Sequence, residues 1–505
     1  MANYTASPEA VVSFVTQLGL SPSDVSQVST ALANAAAFGS IGLLALSLLF
    51  PHLTFWPDSA NYTAIQQVNW STRAWLPAAL IFTPDTTDAV SKGVKVTSYF
   101  GIEFSVRGGG HMHFPGAASS DGGLLIAMEK LSSLSLDEAK KVVSIGAGNR
   151  WISVYQFLEP YGLAAVGGRV PVVGVAGLLT GGGNSFYTTS HGMACDTIKS
   201  LEVVLASGKV VTASAKQNWD LFKALKGGGN NFGIVTRFDL HTVPQPKGVW
   251  AGLTTYTPDK FGSVIDTLVT YQDKHQVEDP KAAMIQNAIF TGGSTQIWMS
   301  FLFHAETDNP ASLQDWKTLG PMSDTTNRTT LAKFVNAAYS GQGVPAPGRQ
   351  HMSTISIGVD AELYKEVLAQ FNATFTAANV PGLQVTLTYQ PMAVSTVRHG
   401  KKMGGNVLGV KEEAQTWLDI TSSWSDAAYD ETVIGSTTKL IADIEVMAKK
   451  RGLYYDYMFL NDAGEGQKII ESYGEANVKF LKVVAKKYDP TGVFQKLSKG
   501  GFKLP

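Results

Sequence analysis

The sequence predicts an α+β protein of two domains, and three observations predict it. The chain has 505 residues, more than one hydrophobic interior serves well, so two or three domains are expected. Short apolar runs alternate with helical stretches, and the runs are too short and irregular for a doubly wound parallel sheet. Glycine clusters punctuate the first half of the chain, whereas residues 248–450 alternate strand-like and helical segments without them. That second texture suits an antiparallel sheet backed by helices.

Taken in order, residues 8–50 read as helical, with Ser7-Pro8-Glu9 and Ser21-Pro22-Ser23-Asp24 as start signals. Ala35–Phe50 is apolar apart from Ser40 and Ser47. It is short for a membrane span, and no basic residue precedes it, the first being Arg73. A buried helix is therefore expected rather than a signal anchor. From Leu76 the chain reads strand (Ala78–Phe82), amphipathic helix (Asp85–Tyr99), strand (Phe104–Val106), then strands at Leu124–Ala127 and Val142–Ile145 and a helix over Trp151–Glu159. Leu201–Ala206 and Lys209–Ala213 flank Ser207-Gly208 as a hairpin. A helix over Asn218–Leu225 and a strand over Phe232–Leu240 follow, and Pro244 and Pro246 mark a boundary. Beyond it, Trp250–Tyr256, Ile297–Phe303 and Gln384–Gln390 read as strands, and Phe261–Gln272, Ala361–Ala378 and Ser436–Lys450 as helices. A short strand at Tyr454 and a helix over Gly474–Lys487 end the chain.

Composition narrows the class. Apolar residues make up 44% and charged residues 16%, which excludes disorder. Lys plus Arg number 40 against 41 Asp plus Glu, with no basic stripe, so no nucleic-acid partner is expected. Cys195 is the single cysteine, which forbids an intrachain disulfide and a thiolate metal cage, and it reads as a small buried hydrophobe. A reducing, cytoplasmic location is the simpler expectation, while sequons at Asn3, Asn61, Asn69, Asn327 and Asn372 leave secretion open. No metal site and no membrane partner are expected, and the oligomeric state is not legible.

Three glycine loops carry the chemistry. Val106-Arg107-Gly108-Gly109-Gly110-His111 follows a strand and exposes consecutive backbone N–H groups able to cradle a pyrophosphate, without the spacing of a dinucleotide-binding turn. Its histidine is either a nucleophile toward a cofactor carbon or a surface residue of a tight turn. Gly174–Gly183 and Lys226–Thr236 are the other two loops. One extended ligand touching all three is the economical account.

Together these pieces resemble the vanillyl-alcohol-oxidase, PCMH-type FAD proteins, in particular the berberine-bridge-enzyme-like and 6-hydroxynicotine-oxidase-like oxidoreductases. The matching segments are Arg107–His111, Gly146–Trp151, Val173–Gly183, Cys195-Asp196, Asp220–Thr236, Ser472–Asn477 and Lys487–Phe494. The resemblance implies a PCMH-type FAD-binding domain over residues 1–245 (core about 76–245), a substrate domain over 246–453, and a segment 454–505 returning to the first. It implies a pyrophosphate on Arg107, Gly108, Gly109 and Gly110, and a bond from His111 to the flavin 8α-methyl carbon. Val173, Gly174, Gly177, Gly182, Gly233, Ile234, Val235 and Asn461 would line the FAD. In relatives a cysteine forming a second flavin bond stands where this chain has Val170, so attachment through His111 alone is expected. A valine at Val173 implies room for O2 beside the flavin. Sugar-oxidising relatives carry a tyrosine base where this chain reads Phe459-Leu460-Asn461-Asp462, which puts sugar oxidation in doubt.

Asp462 is then the first candidate base, or else a polar turn residue. Tyr187, Tyr389 and His399 are further candidates, each with a packing or surface alternative. His113 reads as a solvated loop histidine that could instead orient the flavin bond. The function implied is an oxidase in secondary-metabolite biosynthesis, passing hydride from a small natural-product substrate to covalent FAD with O2 as acceptor. The alternative is a redox-neutral isomerase or cyclase, a pericyclase included, on the same FAD fold.

Overall fold

The computed structural model describes residues 6–34, 36–306, 308–341 and 348–505. Ala35 and the sequon at Asn3 lie outside the described residues. The amino-terminal third begins with helices Pro8–Gln17, Pro22–Ala33 and Phe38–Leu49. Ser7 and Ser21 cap the first two, each accepting a backbone N–H bond at 3.3 Å, as the start signals predicted. The apolar third helix is buried against the helix Thr87–Phe100; a Cβ on Gly42 would sit 2.6 Å from the Phe100 ring. Among the described residues no helix is long and apolar enough to cross a membrane.

The strands of the described residues form three sheets. The first is ordered Thr54–Phe55, Leu80–Phe82, Leu124–Ala127, Phe104–Arg107, with the last three mutually parallel. The second is antiparallel, ordered Leu134–Leu136, Val142–Gly146, Ile234–Pro244, Ile198–Val204, Val210–Ser214, with Leu163–Ala165 also on the long strand. The expected hairpin at Ser207-Gly208 is its last pair. The chain leaves this sheet at Pro244 and enters the third at Val249.

The third sheet has nine strands, all antiparallel, with Ala282–Thr291, Gln384–Met392, Gln415–Trp424 and Arg349–Gly358 as central neighbours. Helices Phe261–Thr270, Ala361–Ala378 and Asp430–Lys450 cover one face, burying Leu387, Leu418, Ile420, Phe371 and Leu440 in a common cluster. Because side chains alternate along a strand, the intervening residues face the other way. That second face looks onto the first two sheets and forms one wall of a cavity. Tyr454–Tyr455 adds a short edge to the third sheet, and the helix Glu475–Tyr488 then packs on Trp219–Leu225.

Candidate functional site

A cavity of about 380 Å³ lies where the three glycine loops meet the open face of the third sheet. Gly108–Gly110, Gly174 with Gly177, and Gly229 all line it, so one ligand can touch all three loops. The loops also touch each other. A Cβ on Gly109 would lie 2.4 Å from the Gly174 backbone, so only glycine permits this approach. Asn461 braces the second loop: its amide donates to Gly177 O at 3.0 Å and accepts from Gly183 N at 3.0 Å. The carboxy-terminal Gly501 and Phe502 close the cavity beside Gly229.

His111 lines the same cavity, stacked on Trp70 with ring centroids 4.6 Å apart and planes 12° apart. Its Nε2 is buried with no hydrogen-bond partner among the described residues. Burial, aided by the nearby Arg150 charge, lowers its pKa to about 3, so the imidazole is neutral. These residues fit a flavin dinucleotide. The glycine loops leave backbone where a Cβ would collide, and an unpartnered imidazole nitrogen stands at their end.

Several expected residues lie behind the cavity surface rather than on it. Arg107 is 1% exposed and does not line the cavity. It sits behind the loop, reaching Gln66 O at 3.4 Å and Glu129 Oε1 at 3.5 Å, so it supports the loop that Gly108–Gly110 present. Gly182 packs against Leu408 and Phe459. Gly233, Ile234 and Val235 belong to the sheet: Ile234 and Val235 pair with Val204 and Val203, and a Cβ on Gly233 would meet Val203 at 2.8 Å. None of the three lines the cavity. His113 is 1% exposed rather than solvated; its Nε2 accepts from Met352 N at 3.2 Å, and His351 lies edge-on at 5.4 Å. The Asn69 sequon is equally buried, with its amide donating to Met112 O.

The catalytic candidates separate cleanly. Tyr389 has the wrong strand parity: it packs among the covering helices on Trp298, with its hydroxyl donating to Tyr364 O at 3.1 Å. Tyr187 is buried, donates to Gln245 at 2.8 Å and lies edge-on to Phe303. His399 is on the partly exposed helix Val394–Lys402, outside the cavity lining. Asp462 alone of the four lines the cavity. Its Oδ2 accepts from Gln390 Nε2 at 2.7 Å, and Gln390 in turn accepts from Arg169.

Sequence reasoning missed Asp419, Gln390 and Arg169, all in the cavity wall. Asp419 lies on the strand Gln415–Trp424 between Leu418 and Ile420, which face the helices. A lone acid with opposite parity to its apolar neighbours was the available signal. Burial and the neighbouring Asp462 charge push the Asp419 carboxyl well above the usual range. Burial also raises Asp462, opposed by the Arg169 charge and the Gln390 bond. Two desolvated carboxyls facing one cavity, with one guanidinium nearby, each make the other harder to ionise.

The comparisons agree with this architecture. Residues 78–214 match the family model described as an FAD binding domain. The chain is 34% identical over 493 residues to the FAD-dependent monooxygenase macF of Penicillium terrestre, covering 92% of each protein. The fold superposes on 6-hydroxy-D-nicotine oxidase of Arthrobacter nicotinovorans with a TM-score of 0.75 at 21% identity, over 90% of this chain and 97% of that one. It superposes on the berberine-bridge-enzyme-like protein 1 of Physcomitrella patens with a TM-score of 0.72 at 19% identity, over 90% and 96%. With a glycine-loop cavity suited to FAD, a matching FAD-domain model and a near-full-length relative, the chain belongs to the FAD-linked oxidoreductases that include the fungal FAD-dependent monooxygenases, and its fold is that of the berberine-bridge-enzyme-like proteins.

Proposed function

We propose that this enzyme is an oxidase acting on a small, mostly apolar natural product, with FAD attached through His111 alone and O2 as final acceptor. The observation that carries the reading is Asp462, a desolvated carboxyl held by Gln390 in the same cavity as His111 and the glycine loops. Bound FAD supplies the two-electron acceptor for hydride. The chain's own groups bind the substrate against the third sheet, keep water out with Phe301, Phe459 and Met352, and take a substrate O–H or N–H proton at Asp462. The neutral, unpartnered His111 imidazole supports its role as the attachment nucleophile. Val170 and Val173 both line the cavity, which supports single attachment and access for a small apolar gas. The monooxygenase name of the Penicillium terrestre relative also involves O2, consumed differently.

A second reading rests on the Asp419–Asp462 pair. Buried carboxyls with raised affinity for a proton can move it without redox change, as an isomerase or cyclase requires. One experiment separates the two. Under anaerobic conditions the oxidase reading expects substrate to bleach the flavin absorbance, and Asp462→Asn to slow bleaching by about 10²–10⁴, the range for a lost acid–base group. Product accumulating over many anaerobic turnovers while the flavin stays oxidised rejects the oxidase reading in favour of the redox-neutral one.

A further inference from the structure

The open face of the third sheet carries a polar row that crosses three neighbouring strands. Asn287 stands opposite Thr388, and Thr388 opposite Asp419, so the three residues sit side by side across three strands. All three line the cavity. Neighbouring strands lie about 4.8 Å apart, so the row runs roughly 10 Å. Ile285, Phe301 and Met352 from the same sheet surround it.

Two acceptors in this row lack a donor. Asp419 Oδ1 and Asn287 Oδ1 are buried with no hydrogen-bond partner among the described residues. Asp419 Oδ2 is held by Thr421 at 2.8 Å, which fixes the orientation of the free oxygen. Asp462 differs, since Gln390 already donates to it. A buried acceptor left unmatched is costly, and a ligand that brings a donor removes the cost.

We propose that the Asn287–Thr388–Asp419 row determines substrate specificity by selecting an apolar body that carries hydroxyl donors at about the strand spacing, with Asp419 Oδ1 accepting from one of them. Asp462 then handles the proton and Asp419 positions the substrate. The proposal rests on the reading of this cavity as the FAD and small-molecule site.

The test uses the FAD-loaded protein and two probes with the same ring, orcinol and orcinol dimethyl ether; only orcinol has donors, placed meta to each other. Binding is followed through perturbation of the flavin absorbance. Orcinol is expected to bind saturably at millimolar concentration or below, and about 10-fold or more tighter than its ether. Asp419→Asn and Thr388→Val keep side-chain shape, and each is expected to shrink that preference by about 3–10-fold, the worth of one hydrogen bond. The flavin spectrum certifies that each variant is folded and loaded, and the ratio of two affinities is insensitive to general damage. No saturable orcinol binding, a preference near one in the wild type, or a preference unchanged in both variants overturns the proposal. Anaerobic flavin reduction is scored separately. A protein that prefers the diol but that no substrate reduces keeps the row and loses the oxidase reading; one that is reduced without any such preference does the reverse.

Discussion

At the residue scale, His111 and Asp419 show burial acting on opposite kinds of group. Burial favours the neutral form of both, so it lowers the imidazole pKa and raises the carboxyl pKa. For His111, neutrality keeps its lone pair available throughout the physiological range. Flavin attachment to apoprotein is therefore expected to proceed at a rate nearly independent of pH between about 5 and 8, unlike a solvated histidine titrating near 6.5. A sigmoidal rise in attachment rate centred near 6.5 would show that the imidazole titrates freely. Denatured, acid-precipitated enzyme should stay yellow, and His111→Ala should give a colourless precipitate. For Asp419, the folded-state pKa lies above the unfolded one. Between the two values the folded state holds a proton that the unfolded chain has released, so this group's contribution to stability falls as pH rises from the ordinary carboxyl value near 4 toward the raised one. Asp419→Asn removes that penalty. It is expected to raise the melting temperature at neutral pH, with the gain vanishing well below pH 4, where both states are protonated. A larger gain at acid pH than at neutral pH would reverse the sign and refute the burial argument.

At the element scale, loops and strands divide the work. The glycine loops are fixed by mutual contact. Gly109→Ala places a methyl about where the Gly174 backbone lies, which neither loop can yield cheaply because both are backbone. The variant is expected to keep its circular-dichroism spectrum and to lose most of its bound flavin, read as the ratio of flavin to protein absorbance. Full flavin loading would mean the two loops separate easily. These loops were legible in the sequence, because three glycine clusters in one domain have few other uses. The cavity wall on the third sheet was not. Strand parity decides it, and parity depends on register, which a single sequence does not declare. Tyr389 and Gln390 are adjacent in sequence, yet one packs under the helices and the other holds Asp462. Asp419 was hidden for a further reason: its strand, Gln415–Trp424, was not among those read from the sequence. Gly233–Val235 is a conspicuous motif whose Ile234 and Val235 pair within the second sheet rather than line the cavity.

At the scale of the whole molecule, the cavity belongs to no single stretch of chain. Its walls come from loops near residues 108–111, 170–177 and 229–230, from the third sheet, and from both Leu460–Asp462 and Gly501–Phe502. The last of these is a tail of only a few residues, and its anchoring is specific. Asn230 Nδ2 donates to Gly500 O at 3.1 Å and Asn231 Nδ2 donates to Phe502 O at 2.9 Å. Phe502 also lies edge-on to Phe114, in the segment following His111. Thus the asparagine pair of the third glycine loop holds the tail, and the tail holds a wall of the cavity against the first loop. Ending the chain after Ser498 removes that wall but leaves the helix Glu475–Tyr488 and all three sheets intact. The truncated protein is expected to fold with unchanged helix content, to incorporate flavin poorly, and to lose the rise in melting temperature that ligand binding to the native state confers. Asn231→Ala should reproduce part of the defect in the full-length chain, because its amide spans the tail and Gly228 O at once. Normal flavin content and normal melting in the truncated protein would show that the tail covers the cavity without holding its contents.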